Sequence, residues 1–284
     1  MRKIKVAVVY PTTEDAFNAL KFFSDMKLCH FVLIGPEAFL QTQAEKIKLT
    51  DYQIISAENH HQSSLTAVKL AHEKVVDLLM KGSVSTGILL KAVLDKNDGL
   101  RSGKLLSHLI VFETSKDKFL GLTDGGINTQ PSLDDKVNII NNAVQFFHCL
   151  GVKKPKVAIL SAIEKVNPRI LGSNDAVILI EKANAGDIKN AAVYGPVAFD
   201  LAVSQKVREI KGVSDQIPYD ADIILVPEIV CGNSLAKSLT YCAKLHSGGV
   251  VLGAQCPIIL PSRADSAQER LYSILLGIMQ CILS

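Results

Sequence analysis

Tryptophan is absent from this chain of 284 residues, and no C-x-x-C pair occurs. The six cysteines, Cys29, Cys149, Cys231, Cys242, Cys256 and Cys281, stand singly. Zinc and dithiol redox sites need paired spacing, so neither is expected. Single cysteines in apolar surroundings read as small core residues in a reducing compartment. Long blocks of like charge are missing too, and the formal net charge is only +3. Nucleic acid, which asks for a concentrated basic face, is therefore not expected as a partner. A phosphate-bearing small molecule is compatible, because a few well-placed cations suffice. No apolar run is long enough to span a membrane, and the run after Arg2 and Lys3 is too short for a secretion signal. A cytoplasmic protein without a membrane partner is the expectation. The seven histidines show no H-E-x-x-H or other metal spacing, so no metal is expected. Without G-x-S-x-G a hydrolase triad has no anchor. Without G-x-G-x-x-G after the first strand a dinucleotide fold is disfavoured.

What the chain has in quantity is aliphatic: 48% of residues are hydrophobic and only 6% aromatic. That balance suits parallel sheets covered on both faces. Short apolar runs at Ile4–Tyr10, 31–34, 52–55 and 77–80 alternate with helical periodicity and predict β-α alternation. A helix opening at Ser63 or Ser64 would bury Leu65, Val68, Ala71 and Val75, with His60 and His61 in a polar loop before it. Strands at 105–113 and 119–123 flank a charged turn at 115–118, a hairpin or a crossover between domains. A long helix is predicted from Ser132 to Cys149, stopped by Gly151. Alternation then resumes to a last helix with Leu271, Ile274, Leu275, Ile278 and Ile282 on one side. Two such runs predict two α/β domains with the ligand site in a cleft between them.

Several strand exits carry polar groups. Gly82–Gly87 has the G-x-x-x-x-G spacing of a phosphate loop but lacks the lysine that reaches a triphosphate. It reads as an anion site at a helix start, with Ser83, Ser85 and Thr86, or as an ordinary cap. Lys91 lies one turn further along. Gly99–Lys104 holds Arg101 and Lys104 between or beside glycines, as a solvated turn or a phosphate clamp. Asp124 and Asn128 after a strand suit ligand binding or Asp-Gly turn chemistry, and Asp200 suits a cap or a functional carboxylate. Near the C-terminus, Ser262, Arg263 and Asp265 put a hydroxyl, a fixed cation and a carboxylate within four residues. That set fits an anionic substrate and a moving proton, or an N-cap by Asp265 or Ser266.

Taken in order, these segments resemble one family. Leu79-Met80-Lys81-Gly82 with Ser85-Thr86, the run Gly99 to His108, Leu122-Thr123-Asp124-Gly125, Val166-Asn167-Pro168, Gly195-Pro196 with Asp200, and Ser262-Arg263-Ala264-Asp265-Ser266 carry the likeness. The chain resembles the phosphate acetyltransferase and phosphate butyryltransferase family, and more its butyryl branch, from about residue 60 onward. The resemblance implies two α/β domains in an isocitrate/isopropylmalate dehydrogenase-like fold, residues 1–118 with 263–284 and residues 119–262. It implies reversible transfer of a short acyl group, butyryl first, between coenzyme A and phosphate. Coenzyme A is then a substrate, no cofactor is tightly bound, and a homodimer or higher homo-oligomer is expected. By the same resemblance Ser262, Arg263 and Asp265 are catalytic. Lys81, Gly82, Ser85, Thr86, Lys91, Arg101, Asp124 and Glu269 bind substrate, with Glu269 the rival base. The family has arginine where this chain has Lys91, and lysine keeps the charge without the planar fork. A phosphate acetyltransferase and a non-catalytic binding paralogue are the other readings. A decarboxylating dehydrogenase would need a cluster of metal-binding aspartates that the sequence does not have.

Overall fold

The computed structural model describes residues 2–114, 118–170, 172–213 and 220–283. Two compact units form, Met1–Lys104 with Gly248–Ser284, and Leu105–Ser247.

The first unit begins with β1 (Ile4–Val9), α1 (Glu14–Asp25), β2 (Cys29–Gly35), α2 (Glu37–Lys46), β3 (Tyr52–Ser56), α3 (His60–His72), β4 (Leu78–Lys81) and α4 (Thr86–Val93). Val6, Ala7, Val8 and Val9 are all buried. A strand apolar on both faces is what helices on both sides of a parallel sheet require. Thr13 caps α1 by accepting the Ala16 N–H at 3.3 Å. The helix then buries Ala16, Phe17, Leu20 and Phe23.

The second unit holds β5 (Ser107–Thr114), β6 (Lys118–Thr123), α5 (Leu133–Cys149), β7 (Lys156–Leu160), α6 (Ser173–Ala185), β8 (Ala192–Val197), α7 (Phe199–Val203), α8 (Gln205–Lys211), β9 (Ile223–Leu225) and α9 (Ile229–Lys237), the last running into a π turn at Ser238–Cys242. Its strand order is β5-β6-β9-β7-β8. β5 and β6 are an antiparallel hairpin pairing Thr114 with Lys118. Residues 115–117 of the expected turn lie outside the described residues. α5 starts on a capping box between Ser132 and Asp135. It ends where Gly151 takes φ +87°, a left-handed turn that only glycine enters without strain.

The chain returns to the first unit with β10 (Ser247–Leu252), β11 (Ile258–Ile259) and α10 (Ala267–Leu283). The strand order there is β3-β2-β1-β4-β11-β10. β11 runs parallel to β4, with Ile258 beside Leu79, and antiparallel to β10.

Several expectations need correction. The breaks fall before the β5–β6 hairpin and at the start of β10, not at 118/119 and 262/263. A cut at 118 would split a pair of strands that share a hydrogen-bonded ladder. His60 and His61 open α3 instead of preceding it, because Asn59 caps the helix through the Gln62 N–H at 3.0 Å. The buried side of α3 is Ser63, Ser64, Ala67, Val68 and Ala71, while Leu65 and Val75 are exposed. Small residues let α3 pack closely, and that outweighs hydrophobicity in choosing its inner face. In α10, Leu275 and Ile282 are exposed, and the buried face includes Arg270, Ser273, Ile274 and Gly277. Gly195 and Pro196 lie inside β8. Asp200 sits in the first turn of α7 and pairs with Lys211.

Candidate active site

In the first unit the chain visits β1, β2 and β3 on one side and then returns through α3 to β4 on the other side of β1. The crevice at the carboxyl ends of β1 and β4 is thus a topological switch point, where α/β sheets bind ligands. Lys81 is the last residue of β4 and pairs with Val9 at the end of β1. Past the strand, Gly82 N–H donates to the Val9 carbonyl at 2.9 Å and Ser83 N–H to the Tyr10 carbonyl at 2.9 Å. A Cβ on Gly82 would lie 2.6 Å from both the Val9 and Tyr10 carbonyl oxygens. Gly82 is therefore glycine because two backbones meet there. Ser85 caps α4, its Oγ accepting the Ile88 N–H at 3.3 Å, and Thr86 is the first helical residue.

The Ser262–Ser266 segment follows β11. Asp265 Oδ2 accepts the Ser262 N–H at 2.7 Å, and the Ser262 carbonyl accepts the Asp265 N–H at 3.3 Å. Ser266, not Asp265, caps α10. Glu269 Oε2 accepts the Ser266 N–H at 2.8 Å and its hydroxyl at 2.9 Å, and Ser266 Oγ accepts the Glu269 N–H at 3.3 Å. This reciprocal capping box occupies the Glu269 carboxylate.

Burial and charge both act on Asp265 and Lys81. Burial pushes the Asp265 carboxyl above its ordinary value, the Ser262 N–H opposes that, and Glu269 adds to it. Arg270 and Lys81 pull it back down. Lys81, 5% exposed, is pushed toward its neutral form by burial, then by Arg270 and Arg263, while Asp265 opposes the shift. Lys81, Arg263, Asp265 and Arg270 therefore share one electrostatic neighbourhood. Arg263 is solvent-exposed, and among the described residues Lys81 Nζ has only a long 3.4 Å bond to the Gly82 carbonyl. Arg263 is thus open to an incoming anion, and the buried Lys81 has hydrogen-bonding capacity left for one.

Two other expected site residues lie at the C-terminal end of α4. Lys91 is exposed in the last turn of α4. Arg101 Nε donates to the Leu94 carbonyl at 2.7 Å, at the C-terminal end of the same helix. An eight-residue helix is about 12 Å long, so these two cations sit at the end of α4 opposite Ser85. Asp124 belongs to the second unit and is 2% exposed. Its carboxylate accepts four hydrogen bonds, from the Gly126, Ile127 and His108 N–H groups and the Asn128 amide. That is turn and strand-end chemistry, the second of the two readings open for Asp124.

Arg270 was not expected at the site. It is 3% exposed, and it donates from Nε to the Asp265 carbonyl at 3.2 Å and from Nη2 to the Ser262 carbonyl at 3.0 Å. A signal for it existed: Arg270 lies at i, i+4 and i+8 with Ile274 and Ile278, in phase with the buried face of the helix.

A half-buried carboxylate among cations, at the carboxyl ends of parallel strands, is what an α/β enzyme needs to bind an anion and move a proton. The family model described as "Phosphate acetyl/butaryl transferase" matches residues 37–278. The chain is 38% identical to phosphate butyryltransferase of Clostridium acetobutylicum, over 96% of this chain and 92% of that one. It is 39% identical to phosphate acetyltransferase of Rickettsia felis, over 97% and 80% respectively. Among solved structures, the branched-chain phosphotransacylase of Enterococcus faecalis V583 superposes with a TM-score of 0.89 at 29% identity, covering 99% of this chain and 100% of that one. The chain belongs to the phosphate acetyl/butyryl transferase family and is an acyltransferase.

Proposed function

We propose that the chain transfers a short acyl group, butyryl foremost, reversibly between coenzyme A and inorganic phosphate by direct attack in a ternary complex. The observation that carries this reading is the desolvated Asp265 carboxyl in one neighbourhood with Lys81 and Arg263.

A free thiol titrates near about 8.5, so a thiol attacking an acyl phosphate needs a base at neutral pH. Asp265 takes the S–H proton as sulfur bonds to the acyl carbon. Its raised affinity for protons makes it a better acceptor than an ordinary aspartate. The C–O bond to phosphate breaks, and the departing phosphate is met by the Arg263 fork and the Lys81 amine. Ser262 hydrogen-bonds the sulfur or the carbonyl oxygen. In the other direction a phosphate oxygen attacks the thioester, and the leaving thiolate recovers its proton from Asp265. No covalent enzyme intermediate is required. The capping box on Glu269 favours Asp265 as the base of the pair. Ser85 and Thr86, at the start of α4, are proposed as further phosphate donors.

Coenzyme A is a substrate in this reading. The two units are proposed as the two domains of an isocitrate/isopropylmalate dehydrogenase-like fold. The likeness to a phosphate butyryltransferase over nearly the whole chain supports butyryl, and that to an acetyltransferase keeps acetyl as the second substrate. A cytoplasmic homodimer or higher homo-oligomer is proposed, with light scattering as its measurement. Purified protein given acyl-CoA and phosphate should release free thiol, fastest with butyryl-CoA, and arsenate should replace phosphate. Absence of thiol release with acetyl-, propionyl- and butyryl-CoA rejects the reading. Coenzyme A binding without any turnover would mark a binding paralogue instead.

A further inference from the structure

We propose that Arg270 is a positioning residue for acyl transfer: it holds the Ser262–Asp265 turn at both ends and stations a permanent cation beside it. The inference rests on the reading of Asp265 as the base.

A guanidinium is costly to bury unless its donors are satisfied. Arg270 offsets some of that cost with a pair of bonds, and both go to backbone carbonyls of this one turn, Ser262 and Asp265. It does not bond the Asp265 carboxylate, whose Oδ2 is held by the Ser262 N–H at 2.7 Å. The turn is thus braced without a clamp on the reacting group. Helix stability does not explain the residue. Arg270 lies in the first turn of α10, where the macrodipole disfavours a cation and where Glu269 and Ser266 already form the cap. Its charge is drawn to Asp265 and repelled by Lys81, so attraction to one neighbour is opposed by repulsion from another. Lys81, Arg263 and Arg270 outnumber the Asp265 carboxylate they share a neighbourhood with, and that surplus of positive charge favours a bound phosphate.

The groups facing Asp265 are Glu269 and Arg270 of α10 and Lys81 of β4, and Lys81 in turn faces Arg263. Arg270 favours the ionised form of Asp265 and the neutral form of Lys81. Removing its charge should therefore raise the apparent pKa of both. Two substitutions separate bracing from charge. Arg270→Gln keeps an N–H donor without charge, and Arg270→Lys keeps charge without the two-pronged fork.

The test compares thiol-release kinetics of wild type, Arg270→Gln and Arg270→Lys across pH, with melting temperatures. A parallel NMR titration follows the Lys81 side chain in 13C-lysine-labelled full-length protein. In Arg270→Gln, kcat should fall by about tenfold to a hundredfold with KM for acyl-CoA changed little, as misplacement of a reacting group predicts. Its acid limb should move to higher pH, and the Lys81 resonance should titrate later. In Arg270→Lys the limb should stay in place while kcat falls. Unchanged kcat in Arg270→Gln overturns the proposal. So does a loss of activity that tracks melting temperature alone with an unmoved pH limb and Lys81 titration. If Arg270→Gln does not fold, Arg270→Lys decides alone, and wild-type kcat in it overturns the bracing role. A wild type without turnover defeats the functional reading, and this inference with it. A turning-over wild type with unaffected variants defeats the inference alone.

Discussion

Ser262 and Asp265 close on each other from both sides: the Ser262 amide donates to Asp265 Oδ2 at 2.7 Å, and the Asp265 amide donates to the Ser262 carbonyl at 3.3 Å. The hydroxyl and the carboxylate are thereby carried on one short rigid turn, and the carboxylate is desolvated by its surroundings. A few residues on, Ser266 and Glu269 repeat the reciprocal pattern as a helix cap. The two acids share a sequence neighbourhood and have different work.

Asp265→Asn should therefore lower kcat about 10²- to 10⁴-fold, the usual worth of a general base. Glu269→Gln should cost less than tenfold, since glutamine also completes a capping box. For the wild type, kcat/KM should rise with pH as Asp265 ionises, because only the carboxylate accepts the thiol proton. Burial raises that titration, so the acid limb should lie above the ordinary aspartate value of 3.8. The limb should vanish in Asp265→Asn. Steady-state thiol release over a pH series checks both statements. A Glu269→Gln enzyme as inactive as Asp265→Asn would hand the role to Glu269.

Arg263 is exposed, whereas Arg101 is tied to the Leu94 carbonyl at 2.7 Å. Arg263→Ala should cut acyl transfer by about a hundredfold or more, as loss of a donor to developing charge does, without moving the melting temperature. Arg101→Ala should lower the melting temperature and leave phosphate KM within a few fold. Calorimetry beside kinetics separates the pair. A large rise in phosphate KM for Arg101→Ala would return that residue to the site.

Asp124→Asn should behave as a stability variant. Four donors converge on this carboxylate, and an amide turns one acceptor into a donor facing a donor. A loss of about 1–3 kcal/mol is expected in urea unfolding. A fully stable variant with weakened coenzyme A or phosphate binding would contradict that.

Gly82→Ala should cost about 1–3 kcal/mol, because its new carbon meets two carbonyl oxygens that cannot step aside. Gly87→Ala is the control: within α4, with nothing within 4 Å of the added carbon, it should gain up to about 1 kcal/mol from helix propensity. Denaturant midpoints report both, and equal effects at the two glycines would refute the packing account.

Local chemistry made much of this protein legible. The apolar runs at β1, β2, β4 and β7 announce a parallel sheet, since burial on both faces leaves no polar alternation to confuse them. Ser132 with Asp135, and Gly151 past the end, bracket α5 because caps are written in adjacent residues. Side-chain phase was less legible. Leu65 and Leu275 face solvent while Ser63, Ser64, Ser273 and Gly277 face inward, because close approach of a helix to its neighbour selects small residues there.

The sequence by itself determined the α/β class, the caps and the presence of a hydroxyl, a cation and a carboxylate beside the last helix. All of these depend on residues a few positions apart. Only the tertiary structure decided which groups share a field. It brings Lys81 of β4 to Asp265 and Arg270, and sends Arg101 to the far end of α4. Electrostatic neighbourhood and desolvation are set by strand order and packing across nearly two hundred residues of chain, and no local pattern encodes them.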